Sequence, residues 1–205
     1  MIAVAATTSA YANTAASGKI ISGTTFSTSN AFQFYNNSTA GEFITSLTWN
    51  LAPIGGFFGT TNTAPGTSGS GLVQGAASDN VGALFPTNAF QNGLSSLTVN
   101  FAANSFAAGE KFIFGVDTDY FSCRDCTGIN GSGFVNATVS AMFSNGETRY
   151  GTYVLTTESG FGSKVDITSV TPPTAVPEPE SYALMLAGLG LMGAVARRRN
   201  QSKAV

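Results

Sequence analysis

Three aspartates near the middle of the chain are the residues best suited to bind a metal ion. Asp117 and Asp119 end an apolar segment as an Asp-x-Asp pair, and Asp125 follows in the next loop. Side chains two residues apart on a strand share a face, so the pair offers the oxygen ligands that Ca²⁺ prefers. The alternative is that the acids only solvate a loop or accept backbone hydrogen bonds in a tight turn. Ca²⁺ is therefore the one cofactor that we consider, and we predict no other.

The two cysteines of the chain, Cys123 and Cys126, are separated by two residues. A zinc site would need two further ligands of the same kind, which the sequence lacks. A redox-active pair would be expected in a cytosolic βαβ protein, and neither that compartment nor that pattern fits. In an oxidising compartment we expect a structural disulfide that closes a short loop and stabilises the fold by about 2 kcal/mol at most.

The residue types limit the catalytic mechanisms that the chain can use. It contains no histidine, which removes Ser-His and Cys-His catalysis, imidazole bases and most zinc sites. A glycoside hydrolase that uses only carboxylates would need two facing acids, and Gly-Glu does recur before three predicted strands, at Glu42, Glu110 and Glu147. The simpler interpretation is that Gly forms each turn and Glu marks the solvated start of a strand. We predict that the protein is not an enzyme.

Charged residues are scarce and nearly balanced. Lys and Arg number 9 against 11 Asp and Glu, which gives a formal net charge of −2. No basic patch is available for nucleic acid or anionic lipid, so we predict no nucleic-acid partner. A composition rich in Gly, Thr, Ser, Asn and Phe is typical of an exported β-protein.

The elements that must position these residues are predicted to be short strands. Apolar residues alternate with mostly polar neighbours at 43–51, 97–101, 112–116 and 135–143, which is the period of a half-buried strand. Asn145-Gly146 marks a two-residue hairpin turn, and the Gly-, Thr- and Ser-rich stretch 59–80 predicts a long surface loop. Residues 13–170 are therefore predicted to form one all-β domain, an antiparallel β-sandwich of jelly-roll type.

The C-terminal part of the chain has three segments in a fixed order. A Pro-rich linker at 171–181 contains Pro177, Glu178 and Pro179, whose prolines keep the backbone extended. A single hydrophobic helix is predicted next, and its uncharged residues 182–196 are apolar on every side, as expected in lipid. The segment 182–199 closes with an arginine cluster that resists translocation, followed by a cytoplasmic tail at 200–205. The arginines are Arg197, Arg198 and Arg199.

Residues 176–199 resemble the PEP-CTERM sorting signal of exported proteins of Gram-negative bacteria. The resemblance implies export, a transient stay in the inner membrane, and processing by an exosortase at Pro177, Glu178 and Pro179, with the arginines as the membrane stop. The alternative is a short tail anchor or a buried helix, because 15 helical residues span only about 22 Å of a hydrocarbon core that is ~30 Å thick. The body, through 112–119 and 143–146, resembles more loosely a β-sandwich common among exosortase substrates.

Export also requires a signal at the other end, and residues 1–12 supply part of one. Ala10-Tyr11-Ala12 is a small-x-small cleavage site, but a basic n-region and a full apolar h-region do not precede it. We interpret residues 1–12 as the remnant of an export signal peptide whose true start lies upstream. The alternative is a disordered N-terminus with a chance Ala-x-Ala.

Together these features predict an exported, exosortase-processed protein of the cell surface or extracellular matrix, with a structural or adhesive role in a polysaccharide or biofilm matrix. The matrix role follows from the resemblance. Its predicted partners are the exosortase, the export machinery and extracellular polysaccharide. A carbohydrate-binding module is the alternative and would need exposed, clustered rings, for which the candidates are Tyr35, Phe57, Phe58, Tyr120 and Phe121. A carboxylate-based glycoside hydrolase is the second alternative.

Overall fold

The computed structural model describes residues 15–26, 28–61, 71–87, 92–123, 128–173 and 192. The chain divides into two compact units, Met1–Pro173 and Thr174–Val205. The strands of the first unit are β1 (Ala16–Ile21), β2 (Phe32–Asn36), β3 (Ile44–Asn50), β4 (Gly56–Gly59), β5 (Val73–Gln74), β6 (Ala83–Leu84), β7 (Ser96–Phe101), β8 (Lys111–Gly115), β9 (Asp117–Tyr120), β10 (Thr138–Phe143), β11 (Thr148–Thr152), β12 (Val154–Leu155) and β13 (Phe161–Ile167). Short 3₁₀ turns occur at Ala52–Ile54 and Gly131–Phe134.

The strands form three antiparallel sheets. The first has the order β12-β13-β1-β2-β8-β5, the second β11-β10-β3-β7-β6, and β4 pairs with β9 in a third. The predicted all-β, antiparallel class is therefore confirmed. The jelly-roll subtype is not confirmed by these strand orders, in which strands consecutive in the chain, such as β1 and β2 or β10 and β11, are also sheet neighbours.

The alternation of apolar residues predicts most of the strands, with three corrections. β8 is buried on both faces, β10 begins at Thr138 rather than at 135, and β3 departs from the alternation at its start. Leu47 and Trp49 are buried, but at the start of the strand the buried residue is Ile44 and its neighbours Phe43 and Thr45 are only half-buried. The register between β10 and β3 shifts at this point, so that Phe143 pairs with Ile44. A one-residue shift moves side chains to the opposite face, which explains why the strict alternation predicted from 43 onward does not hold.

Aromatic rings join the first two sheets into a sandwich. Trp49 on β3 contacts Phe34 on β2 and Phe114 on β8, both at a ring-centroid separation of 4.9 Å. Phe114 in turn stacks on Phe32 at 4.8 Å and on Phe112 at 5.0 Å. Because these rings are fully buried and come from both sheets, they form the core between two packed layers.

The loop predicted at 59–80 is partly strand. Gly59 is the last residue of β4, and Val73–Gln74 forms β5 at the edge of the first sheet, opposite Gly115 and Phe114 of β8. A strand of two residues offers no alternation to read, which is why the sequence did not indicate it.

The terminal segments stay predictions. Four predicted segments lie wholly or mostly outside the described residues. They are the signal-peptide remnant 1–12, most of the linker 171–181, nearly all of the hydrophobic helix and arginine cluster 182–199, and the tail 200–205. Within the ranges that the structure describes, none of the helical segments has the length and apolar character needed to cross a membrane.

Candidate functional site

The β4–β9 ladder positions the acidic pair predicted from the sequence. In its register Gly59 lies opposite Asp117, Phe58 opposite Thr118, and Phe57 opposite Asp119. Side chains of opposed residues share a face and alternate along each strand, so Asp117 and Asp119 lie on the same face as Phe57 and Gly59. Thr118 points the other way.

A hydroxyl pair that joins distant parts of the chain fixes this orientation. The Thr118 and Thr25 hydroxyls lie 2.8 Å apart and are hydrogen-bonded, and Thr25 Oγ1 also accepts the backbone N–H of Thr118 at 3.2 Å. Both threonines are fully buried. Because a buried polar group is costly to leave unpaired, this pair holds β9 in one register and keeps both aspartates on the opposite face.

The structure brings Asp117 and Asp119 together in a buried position. Their exposed fractions are 0% and 1%. Asp117 Oδ1 accepts the backbone N–H of Thr118 at 2.8 Å. A Cβ atom placed on Gly59 would lie 3.4 Å from Asp117 Oδ2 and 3.6 Å from Asp119 Oδ2. The Oδ2 atoms of both carboxylates therefore lie close to the position that a side chain on Gly59 would occupy.

Burial and the neighbouring charge of Asp119 raise the pKa of Asp117 from 3.8 to about 7, although the hydrogen bond from Thr118 acts in the opposite direction. Removal from water disfavours the charged form, and a second carboxylate nearby disfavours it further. At neutral pH the Asp117 carboxyl is therefore protonated for much of the time, unless a cation takes the place of the proton.

The other residues of the predicted metal site and disulfide are described only in part. Cys123 is disulfide-bonded, while its predicted partner Cys126 and the third acid, Asp125, lie outside the described residues. In the described ranges no group of three or more His, Cys, Asp or Glu side chains could hold a metal ion. The three-aspartate site and the Cys123–Cys126 pairing stay predictions.

The five candidate aromatic residues do not form one exposed platform. Phe57 and Phe58 are fully buried, and Tyr35 and Tyr120 are half-buried. Phe121 is 44% exposed and packs on Phe57 at a ring-centroid separation of 5.1 Å. Four of these five rings therefore contribute wholly or partly to packing.

The glycine of each Gly-Glu pair has the positive φ angle that a turn glycine often adopts. Gly41, Gly109 and Gly146 have φ angles of 81°, 86° and 85°, a region that residues with a side chain rarely adopt. Two of the glutamates have local partners. Glu110 Oε2 accepts the backbone N–H of Ala107 at 2.6 Å, and Glu147 pairs with Arg149 at 3.0 Å.

Asn36 connects the segments that precede β3 and β8, and the sequence did not indicate this role. Its side chain is fully buried and its amide donates to the carbonyl oxygens of Glu42 at 2.8 Å and Phe106 at 2.9 Å. Its Oδ1 accepts the backbone N–H of Ser38 at 3.1 Å. An asparagine at a strand end is common in loops, so only the folded structure distinguishes this buried bridge from a solvated turn residue.

The C-terminal segment matches a known motif. Residues 175–199 match the PEP-CTERM protein-sorting motif, which confirms the resemblance and includes Pro177, Glu178, Pro179 and the three arginines at 197–199. Neither a curated protein nor a solved structure matches the chain. The molecule thus combines a predominantly β-sheet body with a PEP-CTERM motif, which implies export and exosortase processing during a transient stay in the membrane.

Proposed function

We propose that the protein is a non-catalytic structural component of the cell surface or extracellular matrix, released there after an exosortase removes its C-terminal segment. The observation that carries this proposal is the position of the sorting motif. It begins at residue 175, directly after the compact unit Met1–Pro173. Cleavage within the motif would leave the whole sandwich intact.

Each part of the motif has a distinct physical role in the proposed processing. The apolar residues 182–196 hold the translocated protein in the membrane, and Arg197, Arg198 and Arg199 stop further passage. The processing enzyme would bind Pro177, Glu178 and Pro179 on the outer side, where the two prolines disfavour regular secondary structure. A marginal span is sufficient because it is needed only until cleavage.

A structural or adhesive role in a polysaccharide or biofilm matrix is supported by how the body uses its side chains. Most of its aromatic rings pack the sandwich, and the glycines of the three Gly-Glu pairs have positive φ angles. The second candidate, a carbohydrate-binding module, is favoured by Phe121, whose exposed ring lies over Phe57 next to the acidic pair. Such a module would need exposed, clustered rings, and among the five candidates only Phe121 is exposed.

Variants of the motif separate processing from anchoring. Changing Pro177, Glu178 and Pro179 to alanine should leave the protein in the inner-membrane fraction at full length, because the apolar segment and the arginines remain. Changing the three arginines to asparagine should instead let part of the protein pass through the membrane uncleaved. Fractionation and immunoblotting of the native host measure both. An alanine variant that is released as efficiently as the wild type would exclude this motif as the processing site.

A further inference from the structure

The two outer faces of the sandwich differ in charge. In the strands of the second sheet, every residue that points outward is a serine, threonine, asparagine or tyrosine, apart from Leu84 and Met142. Arg149 of β11 lies opposite the buried Ala141 and therefore on the other face. The outer face of the first sheet, in contrast, carries charged residues that include Lys19, Lys164 and Asp166.

The hydroxyl groups of the uncharged face form rows that cross the strands. In one row Tyr150 lies opposite Ser140, Ser140 opposite Thr48, and Thr48 opposite Thr98. Neighbouring strands are about 4.8 Å apart, so the row presents one hydroxyl per strand at a regular spacing. The Thr48 and Thr98 hydroxyls are hydrogen-bonded to each other at 2.8 Å, which fixes the orientation of both.

Apolar surface lies beside this row. Met142 is 48% exposed and follows Ser140 by two residues on the same face of β10. Because Ser140 pairs with Tyr150 and Met142 pairs with Thr148, Met142 and Tyr150 are diagonal neighbours within reach of each other. The face therefore offers both hydroxyl groups and an apolar patch, and it offers no charge.

We propose that the outer face of the second sheet binds an uncharged polysaccharide whose chain runs across the strands. A sugar ring presents hydroxyl groups at its edge and C–H groups on its faces, so the hydroxyl row would hydrogen-bond the edge and the Met142–Tyr150 patch would pack on a face. A charged polymer would lose hydration here without gaining an ion pair. The inference rests on the proposed matrix role and gives that role a site and a class of partner.

This mode of binding differs from stacking on a ring platform. Each contact is weak, and a polymer gains affinity by repeating the contacts along its length. Phe121, the exposed ring that favours the second candidate function, follows β9 of the third sheet and is not part of this face. Variants of the two places therefore distinguish the two modes.

The direct test measures depletion of the full chain from solution by insoluble polysaccharides, in micelles of a detergent without a sugar head group. The uncharged probes are cellulose, curdlan, cross-linked dextran and agarose, and carboxymethyl cellulose is the charged counterpart of the first. At least one uncharged probe should bind saturably, and its binding should be unchanged between about 0.1 and 0.5 M NaCl, because salt screens only charged contacts. Carboxymethyl cellulose should bind less protein than any uncharged probe that binds.

Two pairs of variants locate the site. Tyr150→Ala should weaken the binding roughly three- to tenfold, and Ser140→Glu, which places a charge in the middle of the row, should abolish it. Tyr35→Ala and Gln33→Glu make the same changes on the outer face of β2 in the first sheet, and both should bind like the wild type. Circular dichroism and the Tm establish that each variant is folded.

Several results would overturn the proposal. They are no saturable binding to any uncharged probe, a preference for the charged polymer that disappears in salt, equal losses in Tyr150→Ala and Tyr35→Ala, and a loss confined to Phe121→Ala. Self-association that Ser140→Glu abolishes, without polysaccharide binding, would assign the face to a second copy of the chain and overturn it as well. The site of C-terminal cleavage is measured independently, so failure of this proposal and failure of the sorting proposal are distinguishable.

Discussion

Trp49 contacts aromatic rings of the facing sheet and a buried tyrosine. Its ring packs against Phe34 and Phe114 of the facing sheet, and its indole N–H donates to the Tyr153 hydroxyl at 3.3 Å. Tyr153 is fully buried, and burial raises the pKa of its hydroxyl despite this hydrogen bond. The indole therefore supplies both apolar area and the partner that a buried phenol needs.

Truncating a ring beside Trp49 should destabilise the body strongly. Phe114→Ala removes a side chain that stacks on Phe32 and on Phe112, and it should lower the free energy of unfolding by roughly 3 to 5 kcal/mol. Leu155→Ala is the matched control, because Leu155 is 65% exposed, and it should change the free energy by less than about 0.5 kcal/mol. Urea unfolding monitored by Trp49 fluorescence measures both. Equal effects of the two variants would contradict the assignment of Phe114 to the core.

Asp117 should make the metal-free protein less stable as the pH rises. Its folded pKa is raised from 3.8 to about 7, so its contribution is fully present below about pH 4 and is lost as the pH increases through 7. Asp117→Asn cannot ionise. The stability of this variant relative to the wild type should therefore increase across that window, by at most about 1.4 kcal/mol per pH unit.

The measurement for Asp117 is the Tm of both proteins between pH 4 and pH 8 with a chelator present. Comparing the two proteins removes the contributions of the remaining carboxylates, which they share. A difference in Tm that stays constant over this range would show that Asp117 keeps an ordinary pKa.

The close approach of the 3₁₀ turn Gly131–Phe134 to β1 requires a glycine. A Cβ atom on Gly131 would lie 1.8 Å from the carbonyl oxygen of Ile21, while the Gly131 backbone N–H donates to the Gly23 carbonyl at 3.1 Å. Gly131→Ala should therefore cost roughly 1 to 3 kcal/mol through overpacking. Gly23→Ala is the control, since no atom lies within 4 Å of its added Cβ. A Gly131→Ala protein with an unchanged Tm would mean that the turn and β1 are not in contact.

The strands show which elements could be predicted from the sequence. Leu47 and Trp49 of β3, or Val139 and Ala141 of β10, are buried at every second position, so their period identifies them. The register shift at Ile44 depends on the partner strand, and a two-residue strand such as β5 has no period. The order of strands within the sheets is likewise set by contacts between residues that are far apart in the sequence.

Only the local features of the acidic pair could be predicted from the sequence. Two aspartates at the end of an apolar strand indicate a shared face, and the structure places both on that face. Their burial depends on Gly59 and on the hydroxyl pair between Thr25 and Thr118, which are 93 residues apart. Such a long-range contact leaves no pattern in a single sequence.

The body should fold without the sorting segment. Its described strands all lie between Ala16 and Ile167, and its core rings pack on one another. A fragment of residues 13–174 should therefore be soluble and rich in β-structure by circular dichroism, with a cooperative thermal transition. Substantial helix in the fragment, or a fragment that aggregates unless the tail is present, would contradict a self-contained sandwich.

Exosortase processing is tested most directly by C-terminal peptide mapping of the protein recovered from the medium and the cell surface of its native host. Exosortase processing at the motif matched by residues 175–199 predicts a mature chain that ends close to residue 178 and yields no peptide from 184–195. Mature protein that retains residues 184–195 would contradict processing at this motif and indicate a permanent tail anchor.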